Sequence, residues 1–547
     1  MKKIQYLWAF LGIILVSLCF MACGGSDSSK DSAASDEPTF FRYNQATGIS
    51  SLDPAFAKDL ATMWAGKQLF NGLVQTNDKL EVLPCIAKNW TISDDGLTYT
   101  FTLRDDVFFH NHEAFESGKG PKVTAQDFVY SFNRIIDPAV ASTGAWLFNG
   151  KVAENEPFKA IDAHTLEMRL KQPFRPMLGI LSMQYCSVVP KQIVEKYGKA
   201  FRSTPVGTGP FQLKVWKEGE VLIMTKNPSY FEKNAMGEQL PLLDGVRVSF
   251  MENKRNEYLK FKEGKLDLIS GLDAAFKDDV LTKDGKLHPD LTASTQLLRS
   301  PYINTEYLGF LTQNNPNKAL EDKRVRQAIN YGFDREKMVR FLRNNVGIPA
   351  NAGFVPSGLP SFDANKVKGY THNPDKARDL LKAAGYPNGE GLPEITLETT
   401  EAYRDLCTFI QGELEQLGIK IKMELHPSSF LRSKIAKGES SFFRASWIGD
   451  YPDAETYLTV LNGSNPSPPN YTRFNNADYN KLYTQALLEN DDAKRYALYQ
   501  AMDNILIEEA PIVPLFYDEV LRFVRKDVKN LGINAFNLLD LKAVHIK

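Results

Sequence analysis

Cysteine and histidine are scarce in this chain, five and seven residues in 547, and two functional classes lose their usual anchors with them. No CxxC pair occurs. Once the first 22 residues and Cys23 are set aside, the thiols left are Cys85, Cys186 and Cys407, an odd number that cannot pair completely. An exported setting would permit one bridge, the sequence selects no pair, and small buried thiols are the simpler reading. His110 and His112 are the one close histidine pair, and an HxH with no third ligand nearby reads as a turn or surface feature rather than a metal centre. No metal or other cofactor is expected. The GxSxG, HExxH and P-loop patterns are missing too. The GxG of Gly207 and Gly209 lacks the further Gly and Lys that would complete a phosphate loop. With no catalytic motif an enzyme is not expected. The formal charge is −1, and no basic patch interleaved with aromatics occurs, which excludes nucleic acid as a partner.

Long hydrophobic runs are missing as well, with one exception. Lys2 and Lys3 precede an apolar run from Leu7 to Met21, the order of a secretory signal, and Gly24, Gly25 and Ser26 cut it too short for a convincing spanning helix. Ala22 stands before Cys23, and the FMAC so formed resembles a bacterial lipobox, whose Cys becomes the lipidated first residue after cleavage. A plain secretory signal with a coincidental Cys is the alternative. Residues 1–22 then leave the mature protein, whose formal charge becomes −3 once Lys2 and Lys3 are gone. Residues 23–37, rich in Ser, Asp, Gly and Lys, form a flexible tether. A diacylated Cys23 would hold an exported protein on the membrane.

What remains is ordinary globular composition, 43% hydrophobic and 24% charged, in a chain too long for one core. Phe40 to Tyr43 predicts a strand and Asp53-Pro54 a turn. The spacing from Met63 to Val74 predicts a helix. WTISDDGLTYTFTLR, Trp90 to Arg104, predicts a hairpin turning at Asp95 and Gly96, with Leu97, Tyr99, Phe101 and Leu103 on one face. Thr124 is a credible N-cap for an amphipathic helix through Arg134. Asp334 caps another, and Pro374 opens a third that Gly385 stops. ITLET from Ile395, a helix from about Tyr403 to Leu417, and IKIKMEL from Ile419 make a right-handed βαβ unit of an α/β lobe.

LPCIAKNWTISDDGLTYTFTLRDDVFFH and VTAQDFVYSFNRI closely resemble the signature region of family 5 extracytoplasmic solute-binding proteins, the receptors of peptide and related ABC importers. SLDP at Ser51, PVGTGPFQL at Pro205, NPSYF at Asn227 and VRQAINYGFDREKMV at Val325 follow in the same order. The resemblance covers essentially the whole mature chain. It implies an α/β fold of the periplasmic-binding-protein type (type II, cluster C), two-lobed, with an extra inserted domain and a hinge. Residues 38–65, 204–300 and 517–547 would form the discontinuous first domain, 66–203 the inserted second and 301–516 the third. It also implies a monomer that passes short peptides to a permease driven by separate ATPase subunits. Other cargoes of such proteins, dipeptide, oligosaccharide, nickel or haem, stay open, as does an exported hydrolase or chaperone using the same cleft.

One stretch could carry that function. RASWIGDYPD, Arg444 to Asp453, holds a cation at one end and two carboxylates at the other. At about 3.3 Å per extended residue, Arg444 and Asp450 could stand up to roughly 20 Å apart, the span of a short peptide zwitterion. Read alone, it is equally a strand and a turn with solvated charges. The stretch follows the βαβ unit directly, and ligands gather at the carboxyl ends of such strands. The resemblance implies that Asp450 pairs with the ligand α-amino group and that Trp447 lines a side-chain pocket. It further implies that Ser446 and Ile448 pair through their backbone and that Arg444 meets the ligand carboxylate. In the other lobe, Asp59 and Leu60 fall on the ligand-facing segment, although their identities depart from the family pattern. Gly144 stands where the family has an aromatic, with Trp146 as a substitute for it.

Overall fold

The structure, a computed structural model, describes residues 38–273 and 275–547; the signal, the tether and Cys23 lie outside them. A mixed sheet of eleven strands runs through the molecule. Its order is Ile421–Leu425, Ile395–Thr399, Phe442–Ile448, Thr295–Phe310, Ile512–Arg525, Leu268–Ser270, Phe40–Asn44, Gly245–Ser249, Val221–Lys226 and Phe211–Lys217, with Ile348–Pro349 on a side branch. Thr295–Phe310 and Ile512–Arg525 are the longest strands and pair along most of their length, so they join the two ends of the sheet. Their register shifts between Pro301 and Thr305. That interruption releases Tyr302 and Ile303 from regular pairing at the middle of the molecule.

Local chemistry accounts for the elements. The expected hairpin forms from Ala87–Ile92 and Thr98–Leu103, turning at Gly96 with φ +70°. Tyr99, Phe101 and Leu103 are buried, and Phe158–Asp162 and Thr165–Arg169 complete a separate four-stranded sheet. The helix Ala125–Ile136 starts where the Asp127 carboxylate accepts both the N–H and the hydroxyl of Thr124, each at 2.8 Å. Ile395–Thr399 runs parallel to Ile421–Leu425 across the helix Arg404–Glu415, as the βαβ pattern predicts. The helix expected from Met63 instead spans Leu60–Leu69. It starts early because the Asp59 side chain accepts the Thr62 N–H at 2.9 Å, and it stops at Phe70, whose backbone is extended. The three thiols Cys85, Cys186 and Cys407 are free and buried. Among the described residues, no helix is long and apolar enough to cross a membrane.

Two motifs met in the sequence prove to be packing devices. A Cβ on Gly207 would lie 2.1 Å from the Leu69 carbonyl oxygen, and one on Gly209 2.4 Å from that of Gln68, so the GxG is a close backbone crossing over a helix end. His110 locks that crossing. Its Nδ1 accepts the Gly207 N–H at 3.3 Å, which leaves Nε2 to donate to the Gly209 carbonyl at 3.0 Å. Both ring nitrogens are spent on backbone, and burial pushes the imidazole pKa down to about 4.

The sign of that shift predicts acid sensitivity. The unfolded histidine titrates near 6.5 and the folded one lower, so the unfolded state takes up the proton first. Stability should fall as pH drops from about 6.5 towards 4, by up to about 3 kcal/mol from this group. Unfolding measured across that range should show the slope, and His110→Gln should remove this part of it. An unchanged slope in the variant would contradict the assignment.

Candidate functional site

The strand Phe442–Ile448 is where the expected site residues begin, and its edges are unequal. On one side it pairs antiparallel with Thr295–Phe310, from Ile448 opposite Asn304 to Phe442 opposite Phe310. At the two ends of that ladder, the Gly449 N–H donates to Ile303 at 2.9 Å and the Leu311 N–H to Ser441 at 3.0 Å. Alternate residues of an antiparallel strand turn both backbone groups to the same neighbour. The odd positions from Ser441 to Gly449 therefore bond towards Thr295–Phe310, and Phe442, Arg444, Ser446 and Ile448 turn theirs to the opposite edge. Ile395–Thr399 covers that edge only at Phe442 and Phe443. Among the described residues, the backbone groups of Ser446 and Ile448 face an edge that no strand continues to cover.

This edge leads into a cavity of about 610 Å³. One wall is built by Ile448, Gly449, Asp450, Tyr451 and Pro452 together with Tyr302 and Ile303; the facing wall includes Asp59, Leu60, Trp146 and Tyr185. Asp450 is solvent-accessible yet crowded by cleft atoms. Loss of hydration pushes its carboxyl above the ordinary range, and a hydrogen bond from the Thr456 hydroxyl at 3.4 Å offsets part of that. Among the described residues it forms no ion pair. Asp53, by contrast, is fully committed: Arg134 holds it with two bonds of 2.9 and 2.5 Å, both side chains largely buried. That pair joins SLDP to the helix Ala125–Ile136 and fixes the loop that delivers Asp59 and Leu60. Lys58, the one Lys or Arg among the described lining residues, stands next to Asp59 in the chain.

The expected residues divide accordingly. Asp59, Leu60, Trp146, Ile448 and Asp450 line one cavity, and Ser446 is exposed on the strand leading to it. Two expectations need correction. Trp447 lies outside the lining: side chains alternate along a strand, and its ring turns to the opposite face, packing on the cluster that contains Ile303, Tyr307 and Tyr457. Arg444 is no free cation. Its guanidinium forms an ion pair with Glu306, 12% and 5% exposed, and stacks 3.3 Å over the Tyr403 ring. Asp453, the second carboxylate of the stretch, is also spent, paired with buried Arg495 and accepting the Tyr499 hydroxyl at 2.8 Å. Tyr451 donates its hydroxyl to buried Glu455, so the chain just beyond Asp450 is held from both sides.

Tyr185 and Tyr302 are lining aromatics for which sequence reasoning had no signal. Gly144 explains the first of them. A Cβ at Gly144 would lie 2.4 Å from Tyr185 Cδ1, so the aromatic missing from that position comes from a distant segment whose ring needs the space. The Tyr185 hydroxyl sits 3.3 Å from Thr143 Oγ1. Burial pushes its pKa up, and the fields of Asp450 and Asp59 add to the shift, so both carboxylates act on one point of the cavity.

Comparison with known proteins places the chain in a family. The family model described as bacterial extracellular solute-binding proteins, family 5 Middle, matches residues 81–469. The dipeptide-binding protein DppE of Bacillus subtilis (strain 168) is 27% identical over 571 residues, covering 99% of each chain. The glutathione-binding protein GsiB of Escherichia coli (strain K12) is 27% identical over 497 residues, 89% of this chain and 90% of its own. Among solved structures, the periplasmic murein tripeptide binding protein MppA in its unliganded open form superposes with a TM-score of 0.79 at 28% identity, over 93% of this chain and 98% of that one.

The Gly144 contact makes a prediction of its own. Gly144→Ala should force the Tyr185 ring aside and cost about 1–3 kcal/mol through overpacking, visible as a lowered melting temperature. A wild-type melting temperature would mean that the ring has room to move.

Proposed function

This chain belongs to the bacterial extracellular solute-binding proteins, family 5, and we propose that it is the lipid-anchored peptide receptor of an ABC importer. Membership makes it an extracytoplasmic binding protein rather than an enzyme. The observation that carries the peptide reading is Asp450, an ion-pair-free carboxylate in a cavity at the end of an uncovered strand edge. An extended peptide adds to that edge through main-chain groups that every sequence offers, at Ser446 and Ile448, and its α-ammonium meets Asp450. A charge-assisted bond of this kind contributes about 1.5–3 kcal/mol net. Leu60, Trp146 and Tyr185 then bound the space for its first side chains.

The two walls belong to different lobes. Residues 38–65, 204–300 and 517–547 form the first domain, 66–203 are inserted and pack on it, and 301–516 form the other lobe. Strand pairing supports this division, since Phe40–Asn44 lies between Leu268–Ser270 and Gly245–Ser249, and the four-stranded sheet falls wholly within the insert. A peptide that meets Asp450 on one wall and touches the other wall as well favours the closed state by its differential affinity for the two states. Likeness to an unliganded open form supports an open resting state. The closed receptor, a monomer, delivers its peptide to a membrane permease whose ATPase subunits are separate chains. Cys23, outside the described residues, carries the lipid.

Mass spectrometry of ligand retained on the purified protein should find short peptides; a metal, haem or sugar would overturn the reading. Asp450→Asn should weaken peptide binding at least about tenfold with folding intact, and unchanged calorimetric affinity would remove Asp450 from the site. Because Asp450 must be ionised and its pKa is raised, affinity should fall on acidification from a higher pH than the ordinary value of about 3.9 would give. Cys23→Ser should release the protein from membranes, and persistent membrane partition of that variant would contradict the anchor.

A further inference from the structure

The peptide-binding reading sets the direction of the guest: with its amine at Asp450, the chain runs past Ile448 and Ser446 and reaches Arg444, where the covered part of the edge begins. The ion pair found there is already complete. Glu306 is 5% exposed and holds the Arg444 guanidinium. It is further oriented by the Asn304 side-chain amide at 3.1 Å and lies 3.4 Å from the Tyr403 hydroxyl. Tyr403 also supplies the ring beneath the guanidinium.

The neighbouring Lys434 is spent in the same way. Glu398, which the register places opposite Phe443, is 5% exposed and receives Lys434 Nζ at 2.5 Å, with His426 Nε2 at 3.0 Å from the same oxygen. Arg444 and Lys434 are therefore each held by a buried carboxylate, Glu306 and Glu398. The amino end is different, because there Asp450 stands without an ion pair.

We propose that this receptor reads the amino end of its peptide and ignores the carboxyl end, with Glu306 as the specificity-determining residue that neutralises Arg444 in advance. A ligand carboxylate arriving at Arg444 would have to displace a buried anion that has no other cation to turn to, so it gains nothing from the contact. A chain that continues, or that ends without charge, meets a neutral pair and loses nothing. Arg444 then serves as a flat, stacked surface at the end of the groove instead of a carboxylate clamp, and ligand length is left unread at this point.

The test is calorimetric titration of one tripeptide as its free acid and as its C-terminal amide. Wild-type protein should bind the two within about threefold of each other. Glu306→Gln keeps the shape and the acceptor for Asn304 while freeing the Arg444 charge, so the free acid should then bind at least about tenfold tighter than the amide. A tenfold preference for the free acid in the wild type, or an unchanged ratio in the variant, would overturn the proposal and leave the amino-end site standing. The wild-type ratio needs no variant, so it decides the matter even where Glu306→Gln folds poorly. Failure of the wild type to bind either form would instead sink the peptide reading, and this proposal with it.

Discussion

A strand edge left uncovered is the constraint from which the rest of this site follows. Backbone N–H and C=O groups must find partners, and an unpaired edge is a template for another chain. Here Ile395–Thr399 stops covering Phe442–Ile448 after Phe443, while the ladder on the other side directs Ser446 and Ile448 outward. The exposed groups sit at the entrance to a cavity between two walls, so the edge can be satisfied by a guest and is screened from indiscriminate pairing. Asp450 stands at the end of that edge, where the proposed guest would place its first residue.

Around this edge the structure separates charges that are spent from charges that are free. Asp53, Asp453, Glu306 and Glu398 all have cationic partners and are all buried. Each stabilises a geometry: Asp53–Arg134 holds the loop of Asp59, and Asp453–Arg495 anchors the turn after Asp450. Such pairs offset their own desolvation and contribute more to position than to net stability. Asp450 and Asp59 make no ion pair among the described residues, and their charges converge on Tyr185. Lys58 lines the same cavity beside Asp59, so the cleft carries two carboxylates and one cation among the described lining residues.

Legibility from the sequence followed range. The hairpin turning at Gly96, the caps at Thr124 and Asp334 and the βαβ unit from Ile395 each depend on residues a few positions apart, and they were readable for that reason. Asp59 shows the margin of error. Its capping role was not recognised, and the helix after it starts three residues ahead of the expected position. Within the site stretch, alternation along a strand was readable, but which parity faces the cleft was not. That choice is made by the pairing with Thr295–Phe310, far away in the chain, and it sends Trp447 to the core and Ile448 to the cavity.

Sequence alone determined the family and the α/β class, and it singled out the ten residues on which the proposed site centres, because motif order and local periodicity are properties of neighbours along the chain. Tertiary structure decided which of those charges are available. Arg444 and Asp453 look as free as Asp450 when read in line, yet Glu306 lies 138 positions from the first and Arg495 lies 42 from the second. Electrostatic neutralisation acts through space over a few ångströms, and only the folded chain brings those partners together.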